Sequence, residues 1–282
     1  MPSNPPQLSR LPSAYHIPLP NPSRLRSYVF RLPLFTRLML LAIIGLWILE
    51  LQTVWSVIEW GSVIPNEVGL GSMYRLNTYP LVHLGFFHML MDTLCLVPLL
   101  ERFESEWGTL NCVALFLGPF STIPAGVYVL IEKFILRSNT AILGSSVWVF
   151  LLLGIEAIKT WRANPYLEIA SAKVPTWITP LALIVVTSVL IPGTSFLGHL
   201  AAVIVGYLFG LGYLKFLAPP ERISRWIEGK LNLLGRLPHY VSVDQKTYGR
   251  YGLLPSSSGE GPMGNAPIGM NWLNGGGQRL GP

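Results

Sequence analysis

The stretch SFLGHLAAVIVGYLFGLGYLKFL, residues 195–217, decides the fold class of this 282-residue chain. It contains no acidic residue, and Lys215, the one Lys or Arg in it, stands near its end. About 20 apolar residues in a helix are enough to cross the hydrocarbon core of a bilayer. Ala202, Gly206 and Gly210 recur every four residues, and small side chains at this spacing let another helix approach closely. The stretch therefore predicts a membrane helix packed inside a bundle.

The composition of the whole chain agrees with a membrane protein. Only 12% of the residues are charged and 51% are hydrophobic, and the mean hydropathy is +0.47. Soluble globular proteins have about 25% charged residues, so the composition excludes a soluble domain and a disordered chain. Cys95 and Cys112 both lie in apolar segments, where they are expected to pack rather than to form a disulfide or bind a metal. No cofactor is indicated.

Five other apolar segments have the length of a membrane crossing. The predicted membrane helices are 38–57, 80–100, 109–131, 141–159, 175–191 and 195–217. These segments predict an all-α, polytopic membrane protein with a six-helix bundle.

The basic residues predict the orientation of this bundle. If the helices alternate across the membrane, 17 of the 20 Lys and Arg fall on one side, which places both termini in the cytosol. The membrane domain is then 38–217, preceded by a flexible basic leader, 1–37, that lacks the pattern of a cleavable signal peptide. A juxtamembrane segment with an amphipathic helix follows at 218–251. Residues 252–282 are rich in Gly, Pro and Ser, and are predicted to be disordered.

Ionisable side chains inside membrane segments are costly, so each is a candidate functional residue. Two of them have a simpler structural interpretation. Glu50 lies in the last turns of the first helix, where a local hydrogen bond or contact with the membrane surface accounts for it. Glu156 precedes Lys159 by three residues, a spacing that favours an ion pair on one helix face.

The remaining polar residues gather at one depth. His88, Ser146 and His199 each fall within about two helical turns of the same membrane face. Asp92 follows His88 by four residues, so both lie on one face of their helix. Gly144 permits close approach to Ser146. A histidine in reach of a serine can remove its proton for attack on a carbonyl, and nearby donors can stabilise the resulting oxyanion. The pattern predicts a serine nucleophile within the membrane.

These residues resemble the motifs of the rhomboid family of intramembrane serine proteases. The resemblance covers about 38–217 and consists of Tyr74-Arg75, His83, His88-x-x-x-Asp92, Gly144-x-Ser146, and His199 followed by Gly206. It implies that Ser146 is the nucleophile and His199 its base, with His88 and Asp92 supporting the oxyanion. It also implies that the substrates are transmembrane segments of single-span proteins, cleaved without a metal or cofactor.

The chain departs from the family pattern at four positions. Asp92 replaces an Asn, and an ionised carboxylate cannot donate a hydrogen bond. Val147 stands where Gly is frequent, and Phe150 where a Tyr often packs on the catalytic histidine. Tyr74 replaces a Trp.

The last residues carry a second resemblance. The run Leu273-x-Gly275-x-Gly277-Gln278-Arg279-Leu280-Gly281 is similar to a short box by which adaptors bind the N-terminal domain of the valosin-containing AAA ATPase. Two apolar anchors in a Gly-rich segment suit binding to a groove on a partner; the alternative is a low-complexity Gly tail. Taken whole, the chain resembles the fungal secretory-pathway rhomboids, which implies residence in the Golgi apparatus or endoplasmic reticulum.

Three alternatives stay open at this point. The first is a non-catalytic, derlin-type membrane adaptor in protein quality control, although such an adaptor does not need both Ser146 and His199. The second is an intramembrane metalloprotease with His88, Asp92 and His199 as ligands, although no His-Glu-x-x-His motif is present. The third is a transporter, for which no inverted repeat is seen.

Overall fold

The computed structural model describes residues 22–169, 172–191 and 193–246, and this part of the chain is mostly helical. The α-helices are α1 (Pro22–Arg31), α2 (Leu34–Glu50), α3 (Val57–Gly61), α4 (Arg75–Thr78), α5 (Phe86–Trp107), α6 (Thr109–Phe116), α7 (Pro119–Leu130), α8 (Ser146–Ala163), α9 (Thr179–Leu190), α10 (Phe196–Leu211), α11 (Glu221–Leu231) and α12 (Leu233–Arg236). A π-helical turn, Ile131–Leu136, extends α7. The predicted box at 273–281 lies outside the described residues.

The loop between α8 and α9 contains strands that the all-α prediction did not include. Strands β1 (Tyr166–Ile169) and β2 (Ala172–Pro175) form an antiparallel hairpin in which Leu167 faces Val174. In this short, exposed segment, the residues of the two strands pair across the hairpin instead of continuing a helix. The fold class is therefore mostly helical rather than purely helical.

Each of the six predicted membrane segments contains a helix, but the boundaries differ. Helix α2 ends at Glu50 rather than at residue 57. The Glu50 carboxylate accepts hydrogen bonds from the backbone N–H groups of Val57, at 2.6 Å, and Ile58, at 3.1 Å. This side chain therefore caps the start of α3 and turns the chain, which confirms the structural interpretation of Glu50.

Helix α5 begins and ends about six residues later than predicted. It starts at Phe86 and continues to Trp107, where Gly108 adopts a φ of +88° that few other residues tolerate. The charged residues within 101–106 stay helical because they form hydrogen bonds and ion pairs with neighbouring elements. The shift places His88 and Asp92 in the first two turns of the helix.

The length and hydropathy of the described helices support part of the predicted set of crossings. The stretch Thr109–Leu136 alone is long and apolar enough to cross a membrane, within the residues that the structure describes. Two pairs of helices joined by a short, sharply bent break also qualify if each pair is counted as one span. The first pair is Leu70–Leu81 with Phe86–Trp107, bent by 78°, and the second is Phe196–Leu211 with Lys215–Leu231, bent by 92°. Six crossings remain a prediction.

Helices α5, α8 and α10 run in the same direction, and this arrangement defines two ends of the bundle. At the site end, where the three helices begin, Asp92 contacts Ser146 and Ser146 contacts His199. At the opposite end, where they finish, Lys159 binds Glu106 and Arg162 donates a hydrogen bond to the carbonyl of Leu211.

Helices α8 and α10 cross at backbone contact. A Cβ added at Gly206 would clash with the carbonyl oxygen of Leu151, and one at Gly154 would lie 2.9 Å from the carbonyl oxygen of Val203. The crossing therefore requires glycine on both helices, as the small-residue spacing around Gly206 predicts. This close contact fixes the helix that carries Ser146 against the helix that carries His199.

An aromatic cluster fills the core beside this crossing. Trp148 is fully buried, and its Nε1 donates a hydrogen bond to the hydroxyl of Ser121 at 3.0 Å. Its ring meets that of Phe116 edge-on at 5.5 Å, and Phe120 meets Phe209 of α10 at 4.9 Å. Edge-to-face pairs at these distances are favourable, so α6, α7, α8 and α10 share one core.

Buried carboxylates organise the opposite end. Glu104 is fully buried and accepts four hydrogen bonds from Phe35, Thr36 and Thr109 at 2.7–2.8 Å, which join α2, α5 and α6. The predicted pair between Glu156 and Lys159, at 2.8 Å, is confirmed. It belongs to a larger network, because Lys159 also binds Glu106 and Arg102 binds both carboxylates.

The segments before and after the bundle contribute to this end. Residues 22–31 form a helix where a flexible leader was predicted, and the hydroxyl of Tyr28 donates to Glu101 of α5 at 2.8 Å. Helix α11 is amphipathic, as predicted. Its buried Ser224 donates a hydrogen bond to Asn111 at 3.1 Å, so one side of the helix packs on the bundle.

Candidate active site

Ser146 and His199 meet at the site end. The Oγ of Ser146 lies 3.0 Å from the Nε2 of His199, although the two residues are 53 positions apart in sequence. Ser146 is the first residue of α8, and His199 lies in the first turn of α10. The hydroxyl of Ser195 caps this helix by accepting the N–H of Gly198 at 3.0 Å. The structure thus brings together the two residues that the sequence placed at one depth.

The imidazole of His199 is enclosed on its other sides. The ring of Phe150 stacks on it with centroids 4.2 Å apart and an interplanar angle of 28°. The residue is 6% exposed, and its Nδ1 is buried without a hydrogen-bond partner among the described residues. In the part of the chain that the structure describes, the imidazole is held by the Phe150 ring and the Ser146 hydroxyl rather than by a carboxylate on Nδ1.

One carboxylate oxygen of Asp92 lies at the centre of several polar groups. Its Oδ2 accepts the backbone N–H of Ser146 at 2.8 Å. The same oxygen is 3.3 Å from Nε2 of His83 and 3.4 Å from Nε2 of His88. The predicted grouping of His88 and Asp92 beside Ser146 is therefore present, and Asp92 contacts the nitrogen of the nucleophile itself.

The hydrogen bonds around the two other histidines indicate where their protons lie. Nδ1 of His88 accepts the N–H of Leu84 at 3.3 Å, so a neutral His88 carries its proton on Nε2, towards Asp92. Nε2 of His83 accepts the N–H of Ser145 at 3.2 Å. Nδ1 of His83 faces the carbonyl of Leu81 at 3.3 Å, so a neutral His83 carries its proton on Nδ1.

Ser145 and His83 extend the site beyond the predicted set. His83 belongs to the helix 2 pattern in the sequence, but its contact with the Ser145 hydroxyl, at 3.1 Å, was not expected. Both side chains are buried, with Ser145 0% and His83 2% exposed. His83 and Ser145 come close in space only because of the path of the loop 138–145. The one sequence signal for this contact was that Ser145 directly precedes Ser146.

Gly144 provides the close approach that was predicted. Its φ is +111°, and an added Cβ would lie 2.8 Å from both Cε1 and Nε2 of His88 and 3.1 Å from Oδ2 of Asp92. Its N–H donates to the carbonyl of Tyr79 at 2.9 Å. Any side chain at this position would push His88 away from the serine.

The Tyr74-Arg75 motif supports the chain segment that leads to Ser146. Nη1 of Arg75 donates to the carbonyl of Ser62 at 3.0 Å, and Nη2 pairs with Glu67 at 3.2 Å. Val63, which follows Ser62, exchanges two backbone hydrogen bonds with Ile142, at 3.0 and 2.9 Å. The motif thus holds the loop before α4 against the loop before α8, without contacting the serine.

The described residues do not support the metalloprotease alternative. They contain no group of three or more His, Cys, Asp or Glu side chains arranged to hold a metal ion. The five predicted partner-binding residues of the tail lie outside the described part of the chain: Leu273, Gly275, Gly277, Leu280 and Gly281. The chemistry that the site end can support is acyl transfer, with a nucleophile, a base and nearby hydrogen-bond donors.

Known proteins resemble this chain over almost its whole length. The Rhomboid domain family model matches residues 70–216. The "Rhomboid-type serine protease B" of Aspergillus fumigatus is 65% identical over 270 residues, covering 94% of this chain and 97% of the relative. The "Rhomboid-type serine protease 2" of Neurospora crassa is 57% identical, covering 93% and 95%. The chain therefore belongs to the rhomboid family and is a rhomboid-type intramembrane serine protease.

Proposed function

We propose that the protease cleaves transmembrane segments of single-span proteins, with Ser146 as the nucleophile and His199 as the general base. The distance of 3.0 Å between Oγ and Nε2 supports this assignment, because it is short enough for direct proton transfer. The absence of a partner for Nδ1 among the described residues favours a dyad over a triad.

The reaction then follows the usual course of acyl transfer. Nε2 of His199 accepts the proton of Ser146 as Oγ attacks the carbonyl carbon of the scissile bond. The tetrahedral intermediate collapses when the imidazolium returns this proton to the leaving amine nitrogen. His199 then takes a proton from water, whose oxygen attacks the acyl-enzyme and releases the second product.

The oxyanion of the intermediate requires hydrogen-bond donors close to Ser146. The backbone N–H of Ser146 and the Nε2–H of His88 both face Oδ2 of Asp92, so that oxygen marks a point where donors converge. When the substrate binds, its carbonyl oxygen takes over these donors. Donors held in place before the reaction stabilise the developing charge without reorganisation.

Asp92 acts as a positioning residue in this scheme. In the resting site its carboxylate accepts the N–H of Ser146 and faces Nε2 of His88. These contacts place the donors before the substrate arrives, which an Asn at the same position would also do through its amide. Gly144 leaves the space that His88 needs.

Labelling with a fluorophosphonate probe tests the nucleophile directly. The native chain in detergent should become covalently labelled, and Ser146→Ala should not. Ser145→Ala is the matched control, because its hydroxyl is next in sequence but contacts His83; this variant should still label. Labelling that is lost in Ser145→Ala and kept in Ser146→Ala would contradict the assignment.

The cellular setting is also part of the proposal. The charge distribution supports cytosolic termini, and the sequence resemblance supports residence in the Golgi apparatus or endoplasmic reticulum. With that orientation, the box at 273–281 is available to a cytosolic AAA ATPase of the valosin-containing type. Deletion of 273–281 should abolish co-purification of this ATPase and leave proteolysis unchanged; unchanged recovery of the ATPase would refute the tail's role.

The non-catalytic adaptor is not supported. The relatives are serine proteases by name, and the chain keeps serine and histidine at hydrogen-bond distance. An adaptor that only presents proteins to an ATPase has no use for that geometry.

A further inference from the structure

Glu132 is a buried acidic residue that the proposed reaction does not use. It lies on the π-helical turn that extends α7 and is 7% exposed. Its Oε2 is enclosed and has no hydrogen-bond partner among the described residues. Buried carboxylates are almost always paired or hydrogen-bonded, because an unpaired one loses its hydration without compensation.

The surrounding groups do not neutralise this carboxylate. Tyr128, one turn earlier, donates its hydroxyl proton to the carbonyl of Thr140 at 2.8 Å, and its neutral hydroxyl also interacts with the Glu132 carboxyl group. Lys133 and Arg137 are exposed, and no ion pair among the described residues includes Glu132. Oε2 of Glu132 is therefore an acceptor with free capacity.

Glu132 lines a cavity of about 420 Å³ that reaches Ser195 and Phe196, at the start of the helix that carries His199. Tyr128 and Thr140 line one part of it, and Ser195 another. The carbonyl of Ser195 accepts the N–H of His199 at 3.1 Å, so the cavity wall is part of the turn that carries the base. Ala141, also in the lining, precedes Ser146 by five residues.

The position of the cavity indicates what can fill it. One helical turn separates Ser195 from His199, which is about 6 Å along the axis. An extended peptide advances about 3.3 Å per residue, so a side chain two to four positions from the scissile bond can reach the cavity. A lysine or arginine has both the length and the donors to reach a recessed carboxylate.

We propose that the Glu132 cavity is a substrate subsite for a basic side chain two to four residues from the cleaved bond. The proposal rests on the proposed function of Ser146 and His199 and adds a specificity determinant to it. Glu132 pairs with the ammonium or guanidinium group of the substrate, and this contact supplies a partner for Oε2 and a counter-charge for the carboxylate. A substrate with a neutral side chain at this position leaves the Glu132 carboxylate without a counter-charge and is bound less well.

A substrate scan tests the subsite. The full chain in liposomes is given a single-span model substrate without Lys or Arg within six residues of the cleaved bond, and one Lys or one Gln is placed at each position in turn. We expect kcat/KM to be about tenfold higher for Lys than for Gln at one or two positions, and only there. If no position shows this preference, the proposal is wrong.

Variants of Glu132 then test whether this residue causes the preference for Lys over Gln in the substrate. Glu132→Gln should cleave the Lys and Gln substrates equally, and Glu132→Lys should prefer a substrate with Glu at the same position. Glu59→Gln, which removes an exposed carboxylate of α3, should keep the native preference. A preference that survives in Glu132→Gln, or an equal fall for all substrates in both variants, would overturn the proposal.

The substrate without a basic residue separates this proposal from the protease assignment. The native chain should cleave it, whereas Ser146→Ala should not. Fluorophosphonate labelling of each Glu132 variant shows that its site is folded. Failure of the native chain to cleave any substrate would count against the proposed function instead.

Discussion

The two ends of the bundle differ in how their buried polar groups are satisfied. At the opposite end, Glu104 accepts four hydrogen bonds, and the charges of the network around Glu106 are paired. Among the carboxyl and imidazole groups that the structure describes, Nδ1 of His199 and Oε2 of Glu132, both at the site end, are buried without hydrogen-bond partners. Because unsatisfied buried groups are unfavourable, the difference indicates that one end is arranged for stability and the other for a bound substrate.

The crossing of α8 and α10 connects the two ends, so disturbing it should have the largest effect. Gly206→Ala introduces a Cβ that clashes with the carbonyl of Leu151 and forces the helices apart. We expect a loss of about 3 kcal/mol in stability, together with loss of proteolysis, because the distance between Ser146 and His199 depends on the crossing.

Unfolding in detergent measures the effect of Gly206→Ala. Gly126→Ala on α7 is the matched control, since nothing lies within 4 Å of its added Cβ. That variant should be as stable as the native chain or slightly more so. Equal stability of the two variants would contradict the close crossing.

A change at Asp92 should reduce the rate and leave the stability nearly unchanged. Asp92→Leu removes the acceptor for the Ser146 N–H and should lower kcat about 100-fold, which is a typical result of disturbing one oxyanion donor. Asp92→Asn should retain activity within a few-fold. Native rates in Asp92→Leu would show that the donors are positioned without this side chain.

A change at Glu104 should have the reverse pattern. Glu104→Gln places an amide nitrogen against backbone and hydroxyl donors, and the mismatch should cost about 2 kcal/mol of stability. The rate per folded molecule should stay native, because Glu104 is 12 residues, or about 18 Å along the helix, from Asp92. Thermal unfolding and active-site titration check both quantities; a slower folded enzyme would contradict the division between the two ends.

The sequence was sufficient to predict which apolar segments contain helices and which polar residues gather at the site end. Ser146, His199, His88 and Asp92 come together because helical depth and four-residue spacing follow directly from the apolar pattern. Boundaries such as the end of α2 were missed because a side chain, Glu50, ends the segment through hydrogen bonds to α3.

Contacts between distant segments were beyond sequence reasoning. The contact of His83 with Ser145 depends on the path of the loop before α8, which backbone pairing between Val63 and Ile142 determines. Glu132 carries no motif, and its burial follows from how α7 meets the start of α10. The hairpin of β1 and β2 was missed because its residues have no strong alternation.

A double-mutant comparison of Ser146 and His199 tests the central claim most directly. Proteolysis of one single-span substrate in liposomes is measured for Ser146→Ala, His199→Ala and the double variant. Residues that act as a unit give nearly equal losses, so we expect each of the three to fall by about 10⁴-fold or more. If His199→Ala keeps most of the native rate, or if the two losses add in the double variant, Ser146 and His199 do not form the catalytic dyad.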